Sequence, residues 1–478
     1  MYCSKFKHIS YPVWTTVYGG RAGSGDISMD AVKIILSLTA KAPRHGVLFS
    51  SLQTFESRCA TDATMLLLST FPSNLKVMAP QIDGPKEESI SHFFRELPQR
   101  CPNIVKLQLK MHAHLPNPFA YGSALVMHVH NFVWMEEFDI AHSLIPMTDE
   151  LLIALSSLPK LRCIQWRTYV GDADRAVNSR QVLALGCFPS LEELRAGIVN
   201  DDMLKRLVTP HFLPIHLKKA TAQSFEHDTN QLSQYLEILA PDDVESNIEF
   251  LRLDHYVGGI EFNAISRITT MHRLKNLKIQ APTFFLSDQH IAQLLSGLPV
   301  LEYIQFGGEA DPATRPGNPT LLTVHYLIKY CPLLRRAHLF LDAREIPNVP
   351  HPIVTEKQSG NLLRLMIQGS AVGDPTRVAE WLRDLLSRRY DRIRIKDPRV
   401  FTMGGDFQVI GRGWSKVQEV LGHDMLGPGE KYDDLGDFGQ VDSGDWTYGG
   451  ELPRNTGRGE VRIRRRQLPG RVSVGTLM

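Results

Sequence analysis

Cysteine is scarce in this chain: six among 478 residues, at Cys3, Cys59, Cys101, Cys163, Cys187 and Cys331. No two of them stand at C-x-x-C spacing, which argues against a zinc knuckle and a dithiol redox pair. No Asn-x-Ser/Thr acceptor for glycosylation occurs either. Both absences favour a reducing compartment, cytosol or nucleus, with buried reduced thiols. Apolar runs are short. Ala31 to Ala40 is interrupted by Lys33, far from the roughly 20 residues a membrane helix needs. Met1 to Tyr11 lacks the apolar stretch of a signal peptide. Net charge is also lacking: +2 at pH 7 is too little to draw nucleic acid by bulk electrostatics.

Signs of catalysis are equally thin. Tyr18 to Gly25 is glycine-rich but has no G-K-[S/T] ending, so it is no phosphate loop. His112 with His114, and His128 with His130, each place two imidazoles on one side of an extended segment, but no third metal ligand has matching spacing. No Ser/His/Asp or Cys/His order stands out among 18 histidines. The composition therefore predicts no enzyme, no cofactor and no metal.

What the chain does have is a leucine-rich phrase, L-x-x-L-x-L, often led by Leu-Pro, Phe-Pro or Cys-Pro. Its first position falls at Leu52, Leu75, Ile104, Met135, Leu161, Leu191, Phe212, Ile248, Leu274, Leu301, Leu334 and Leu362. The mean interval is about 28 residues, which marks a solenoid of stacked strand–helix units. Each phrase alternates like a strand. In Ile104 to Lys110, Leu107 and Leu109 face one way and Lys106, Gln108 and Lys110 the other. Helices follow by 3.6-residue periodicity. Ile291, Leu294, Leu295 and Leu298 share a face begun by Ser287 as N-cap, and Ile90, Phe93, Phe94 and Leu97 repeat the spacing. Asp374-Pro375 starts a third, with Val378, Trp381, Leu382 and Leu385 inward.

The predicted fold is an α/β leucine-rich-repeat solenoid, a horseshoe with a parallel sheet on its concave side and helices outside. Residues 1–45 form an irregular N-terminal cap and 46–421 the solenoid. Its last strand is Arg392 to Ile395 and its capping helix Trp414 to Leu421. Residues 422–478, rich in Gly, Asp and Arg, are expected to be a disordered tail. Arg462 to Arg466 in that tail reads as a nuclear-import signal or as a solvated charge cluster. The Asn or Cys that normally ties adjacent turns together is missing, so the turns must be held in another way.

On the concave side the spacing groups Phe250, Arg252 and Asp254; Asn276, Lys278 and Gln280; Tyr303 and Gln305; Arg336, His338 and Phe340; Arg364, Met366 and Gln368. Arg252, Lys278, Arg336 and Arg364 outweigh the one acid, Asp254, and Tyr303 and Phe340 offer aromatic anchors. The expected ligand is an acidic or phosphorylated protein segment, because guanidinium pairs bidentately with carboxylate and phosphate; a merely solvated charged face is the other reading.

Three stretches carry a family resemblance. Cys101-Pro102-Asn103-Ile104-Val105-Lys106-Leu107 is similar to a middle repeat, and Cys331-Pro332-Leu333-Leu334-Arg335-Arg336 to a late one, of the F-box proteins of mushroom-forming fungi. Gly373-Asp374-Pro375 leading into Val378-Ala379-Glu380-Trp381-Leu382 resembles their closing repeat. The resemblance spans roughly residues 30 to 421. It implies a substrate receptor of an SCF-type ubiquitin ligase, in which an F-box docks on Skp1 and the repeats hold the substrate. Lys5 to Val17 resembles the segment that follows an F-box, and no Leu-Pro-x-Glu-type helix opens the chain. Skp1 and cullin are therefore expected as partners only through an F-box upstream. A repeat scaffold without Skp1 binding is the alternative.

Overall fold

The computed structural model describes residues 8–10, 51–60, 68, 70–83, 87–111, 117–167, 188–197, 216–224, 229–241, 245–255, 257–307, 319–349, 358–367, 372–387, 390–396 and 407–421. Backbone contacts divide the chain into Met1–Gly429 and Glu430–Met478, and all described residues lie in the first unit. Phe212 and the expected tail, 422–478, lie outside the described residues.

Alternating residues build one parallel sheet. Its first strands are β1 (His8–Ser10), β2 (Thr54–Ala60), β3 (Val77–Asp83), β4 (Lys106–Gln108) and β5 (Lys110–Met111). Next come β6 (Glu137–Asp139), β7 (Cys163–Trp166), β8 (Glu193–Ala196) and β9 (Lys219–Ser224). After β10 (Phe250–His255), the short β11 (Gly259–Glu261) and β13 (Thr283–Phe285) pair apart from the main sheet, while β12 (Asn276–Gln280) continues it. β14 (Tyr303–Gly307), β15 (Arg336–Leu339), β16 (Gln358–Ile367) and β17 (Tyr390–Lys396) complete the main sheet of 15 strands. Apart from β5, which pairs with β3, the strands of the main sheet follow one another in chain order, and every strand pairing among the described residues is parallel. This is an α/β leucine-rich-repeat solenoid. β1 shows that the segment expected as an irregular cap contributes a repeat-type strand, paired with Thr54 to Glu56.

Parallel strands need a crossover, and helices supply it. Helix Glu87–Arg100 buries Ile90, Phe93, Phe94 and Leu97. Helix Asp288–Ser296 starts in a capping box: Ser287 Oγ accepts from His290 N–H, and His290 Nδ1 accepts from Ser287 N–H. Asp374 accepts from the amides of Thr376 and Arg377 at the start of helix Pro375–Ser387. The capping helix is longer than expected, Phe407–Leu421, with Trp414 and Val417 buried. Its first half carries Gly411 and Gly413, which weaken a helical reading of the sequence.

The inward leucines form one spine. Leu107, Leu109, Ile164, Trp166, Leu251, Leu253, Leu277, Ile279, Ile304, Phe306, Leu365 and Ile367 are all buried. One unit is placed differently from the sequence reading. The first leucine position belongs to Leu217, two residues before β9 as Leu274 is before β12, and not to Phe212. The strand after Leu217 presents Ala220 and Ala222 inward, and small residues hide a leucine pattern.

Two ties replace the missing Asn ladder. From β3 to β15, two successive amides of each unit donate to one carbonyl of the unit before. Arg162 and Cys163 donate to Glu136 O, Glu192 and Glu193 to Arg162 O, and Lys275 and Asn276 to Glu249 O, all at 2.9–3.0 Å or shorter. The side chains along this column alternate in sign: Glu136, Arg162, Glu192, Lys218, Glu249, Lys275, Glu302, Arg335. Arg162 meets Glu136 at 3.9 Å and Glu192 at 3.0 Å, and Lys275 meets Glu249 at 2.8 Å. The second tie joins helices. Asp288 accepts from the Thr320 amide and from the hydroxyls of Thr320 and Thr323, so the start of helix Leu321–Tyr330 is held to the helix before it.

Candidate partner-binding face

Alternation leaves the other face of the sheet, turned away from the leucine spine, to the remaining side chains, and parallel register sorts them into rows. One row runs Lys106, Glu137, Cys163, Glu193, Lys219, Phe250, Asn276, Tyr303, Arg336, Arg364. The next runs Gln108, Asp139, Gln165, Arg195, Thr221, Arg252, Lys278, Gln305, His338, Met366.

Charges in the first half of this face satisfy one another. Lys106 pairs with Glu137 at 2.9 Å, and Gln108 donates to Asp139 at 2.7 Å. Arg195 donates to Glu193 at 2.7 Å and to Gln165 at 3.0 Å. These contacts pair the charged side chains of β4, β6 and β8 with one another or with neighbouring amides.

The second half differs, and here the structure corrects one expectation. Asp254 is not an exposed counter-charge: its side chain is fully buried and accepts from Arg252 Nε at 2.8 and 3.1 Å. A buried carboxylate needs such a partner. Arg252 is therefore committed within the protein, so the positive charge expected of it is largely cancelled.

The strands β12, β14, β15 and β16 contain no aspartate or glutamate at all. They contribute Lys278, Arg336 and Arg364, each half-buried. Burial, with the Arg252 guanidinium beside it, lowers the Lys278 ammonium from its ordinary pKa, while Asp254 opposes the shift. Among the described residues neither Lys278 nor Arg364 has an ion pair within 4.0 Å. Tyr303 donates to Gln305 Oε1, and burial pushes its phenol up to about 12, so it stays a neutral donor. His338 and Phe340 stack with ring centres 6.5 Å apart, and Phe340 lies just past the end of β15. Gln368, expected on this face, lies outside the described residues.

The expected site residues Lys278, Tyr303, Gln305, Arg336, His338, Phe340 and Arg364 thus share one contiguous surface over four strands, with Arg252 at its border. Among the described residues no three His, Cys, Asp or Glu side chains cluster as metal ligands, and no helix is long and apolar enough to cross a membrane.

No protein-family model matches the chain, and no curated protein does. Among solved structures, a leucine-rich-repeat protein of Leptospira interrogans is similar at a TM-score of 0.40 and 13% identity, covering 73% of each chain. The Rad7–Elc1 complex of yeast is similar at 0.38 and 10%, covering 78% of this chain and 86% of that one. The TLR13–ssRNA13 complex is similar at 0.36 and 12%, covering 77% and 54%. The class of the fold rests on this chain's own parallel ladder, leucine spine and crossover helices.

Proposed function

We propose that this chain is a protein-binding leucine-rich-repeat module, and that it serves as the substrate-recognition part of an SCF-type ubiquitin ligase. The observation that carries the first part is the row of strands β12, β14, β15 and β16, which contain no aspartate or glutamate and bring basic and aromatic side chains together. Half-buried arginines and aromatics side by side are the residue types that dominate protein interfaces. The ligase role is drawn from the resemblance of the Cys-Pro-led repeats to fungal F-box proteins. Two experiments test these parts separately. A photo-crosslinking residue at Gln305 should trap a protein partner, whereas one at Gln289, exposed on a helix, should not. Co-purification with Skp1 supports the ligase role. Its failure, where a full F-box protein binds Skp1, leaves the scaffold reading in place.

A further inference from the structure

Four positions on one face of β12 and β14 form a rectangle. Lys278 is the register partner of Gln305, and Gln280 of Gly307, and within each strand the two stand two residues apart. The sides are therefore about 4.8 Å across the strands and about 6.6 Å along them. Three corners carry hydrogen-bond donors, and the fourth carries no side chain. A Cβ at Gly307 would stand 3.3 Å from Gln305 Nε2, 3.7 Å from Gln280 Cγ and 3.9 Å from Gln280 Nε2, so both carboxamides lie over the bare glycine. Tyr303 donates its hydroxyl to Gln305 Oε1, which engages the acceptor end of that amide and leaves its Nε2 end to donate. Among the described residues the half-buried Lys278 ammonium has neither a hydrogen bond nor an ion pair. The acid that acts on it, Asp254, is already taken by Arg252. That pair cancels, and one positive charge is left over in a setting that penalises it.

We infer that this rectangle is a subsite for one side-chain carboxylate, a glutamate or aspartate of the bound protein segment: Lys278 supplies the charge, and Gln280 and Gln305 supply two further hydrogen bonds across Gly307. This rests on the protein-binding reading and names a group that the partner must present. A carboxylate has two oxygens with about four lone-pair sites, enough for all three donors. It also brings one charge, which matches the one left over. A phosphate monoester brings about two, and its second would go unmatched. A chain-terminal carboxylate is typically captured by backbone N–H groups arranged as a nest. Here the backbone of β12 and β14 is committed to the ladder, and only side chains are offered. Burial and the Arg252 guanidinium hold the Lys278 ammonium below its ordinary pKa, and an incoming carboxylate reverses that shift.

The test selects peptides for the full chain from a displayed library of random twelve-residue sequences. A selected peptide is then synthesised with its acidic residue as Glu, Gln or phosphoserine, and in a form whose carboxylate is the C-terminus, and each is measured by fluorescence anisotropy. Glu should bind about tenfold or more tightly than Gln, as expected for hydrogen bonds to a charged group. It should also bind more tightly than the phosphoserine and C-terminal forms. Lys278→Met keeps the aliphatic stem and should erase the Glu-over-Gln ratio. Gly307→Val leaves Lys278 in place but pushes both carboxamides aside, and should cut the ratio about threefold or more. Gly307→Ala, which crowds Gln305 most closely, should cut it less, and serves where the valine lowers the melting temperature. Lys106→Gln, whose parent lysine pairs with Glu137, should leave the ratio unchanged. A ratio near one, or one that survives Lys278→Met or the Gly307 changes, overturns the inference. So does tighter binding of the phosphoserine or the C-terminal form. Peptides that bind with no preference for a carboxylate overturn it too, and leave the protein-binding reading standing. If no peptide is selected, the inference fails, and the Gln305 crosslink alone decides the reading beneath it.

Discussion

Arg162 in one unit donates from Nη2 to Glu192 Oε2 in the next at 3.0 Å, and faces Glu136 of the unit before at 3.9 Å. It sits where two opposite charges flank it, on the residue whose carbonyl holds the following strand.

Arg162→Glu should place three like charges in a line. The side chains are half-exposed, so the cost should be modest, about 1 kcal/mol, and should shrink in high salt. The Arg162 hydrogen bond holds the Glu192 carboxyl below its usual range. A lowered folded-state value means the contribution is complete above the ordinary value of 4.5 and fades as pH falls through the lowered one. Chemical denaturation of Arg162→Gln and the parent at pH 7 and pH 3 should therefore give a difference at pH 7 that narrows at pH 3. A difference that grows on acidification would contradict this assignment.

Leu277 is fully buried and stands in register between Leu251 and Ile304, both also fully buried. Leu277→Ala should cost about 2–5 kcal/mol through the lost transfer energy and the cavity left behind. Urea titration reads this directly, and a loss below half a kilocalorie would mean that the spine is not close-packed there.

Gly297 caps helix Asp288–Ser296, and a Cβ there would run into the Thr269 carbonyl of the neighbouring unit. Backbone cannot step aside as a side-chain tip does, so Gly297→Ala should cost about 1–3 kcal/mol. Gly122, inside helix Pro118–His128, has the opposite outlook: its nearest heavy atom to an added Cβ is Ile145 Cγ2 at 3.8 Å. Gly122→Ala should raise stability by up to about 1 kcal/mol through helix propensity. The two alanines should thus move the melting temperature in opposite directions.

Burial pushes the thiols of Cys101 and Cys163 up to about 12. At pH 8 iodoacetamide should leave both unmodified in the folded protein and alkylate both in urea, as peptide mass spectrometry would report. Modification of either without denaturant would show that its unit opens readily.

Much of this architecture is legible in the amino acids, because a two-residue alternation followed by a 3.6-residue one is hard to satisfy any other way. Leu277 and Ile279 reveal their inward direction by the polar residues between them. Ser287 and Asp374 mark helix starts by side-chain chemistry alone. Legibility fails where the signal depends on size or on a distant neighbour. Ala220 and Ala222 are inward residues too small to register as a leucine phrase. Alternation sets Asp254 beside Arg252 on one face, but it does not reveal that Asp254 is buried beneath the guanidinium. The alternating column from Glu136 to Arg335 was open to inspection in the chain. Its meaning emerges only once the residues after each first leucine are known to stack.

The paired amides on a single carbonyl locate each strand without reference to how much chain intervenes. The attachment is the same between Met135 and Leu161, separated by a short connection, and between Leu301 and Leu334, separated by a longer one. Length variation is thereby shunted away from the sheet. Descendants of this gene can gain or lose residues between strands while the spacing of Lys278, Arg336 and Arg364 is inherited unchanged. Recognition and repeat length are free to drift separately.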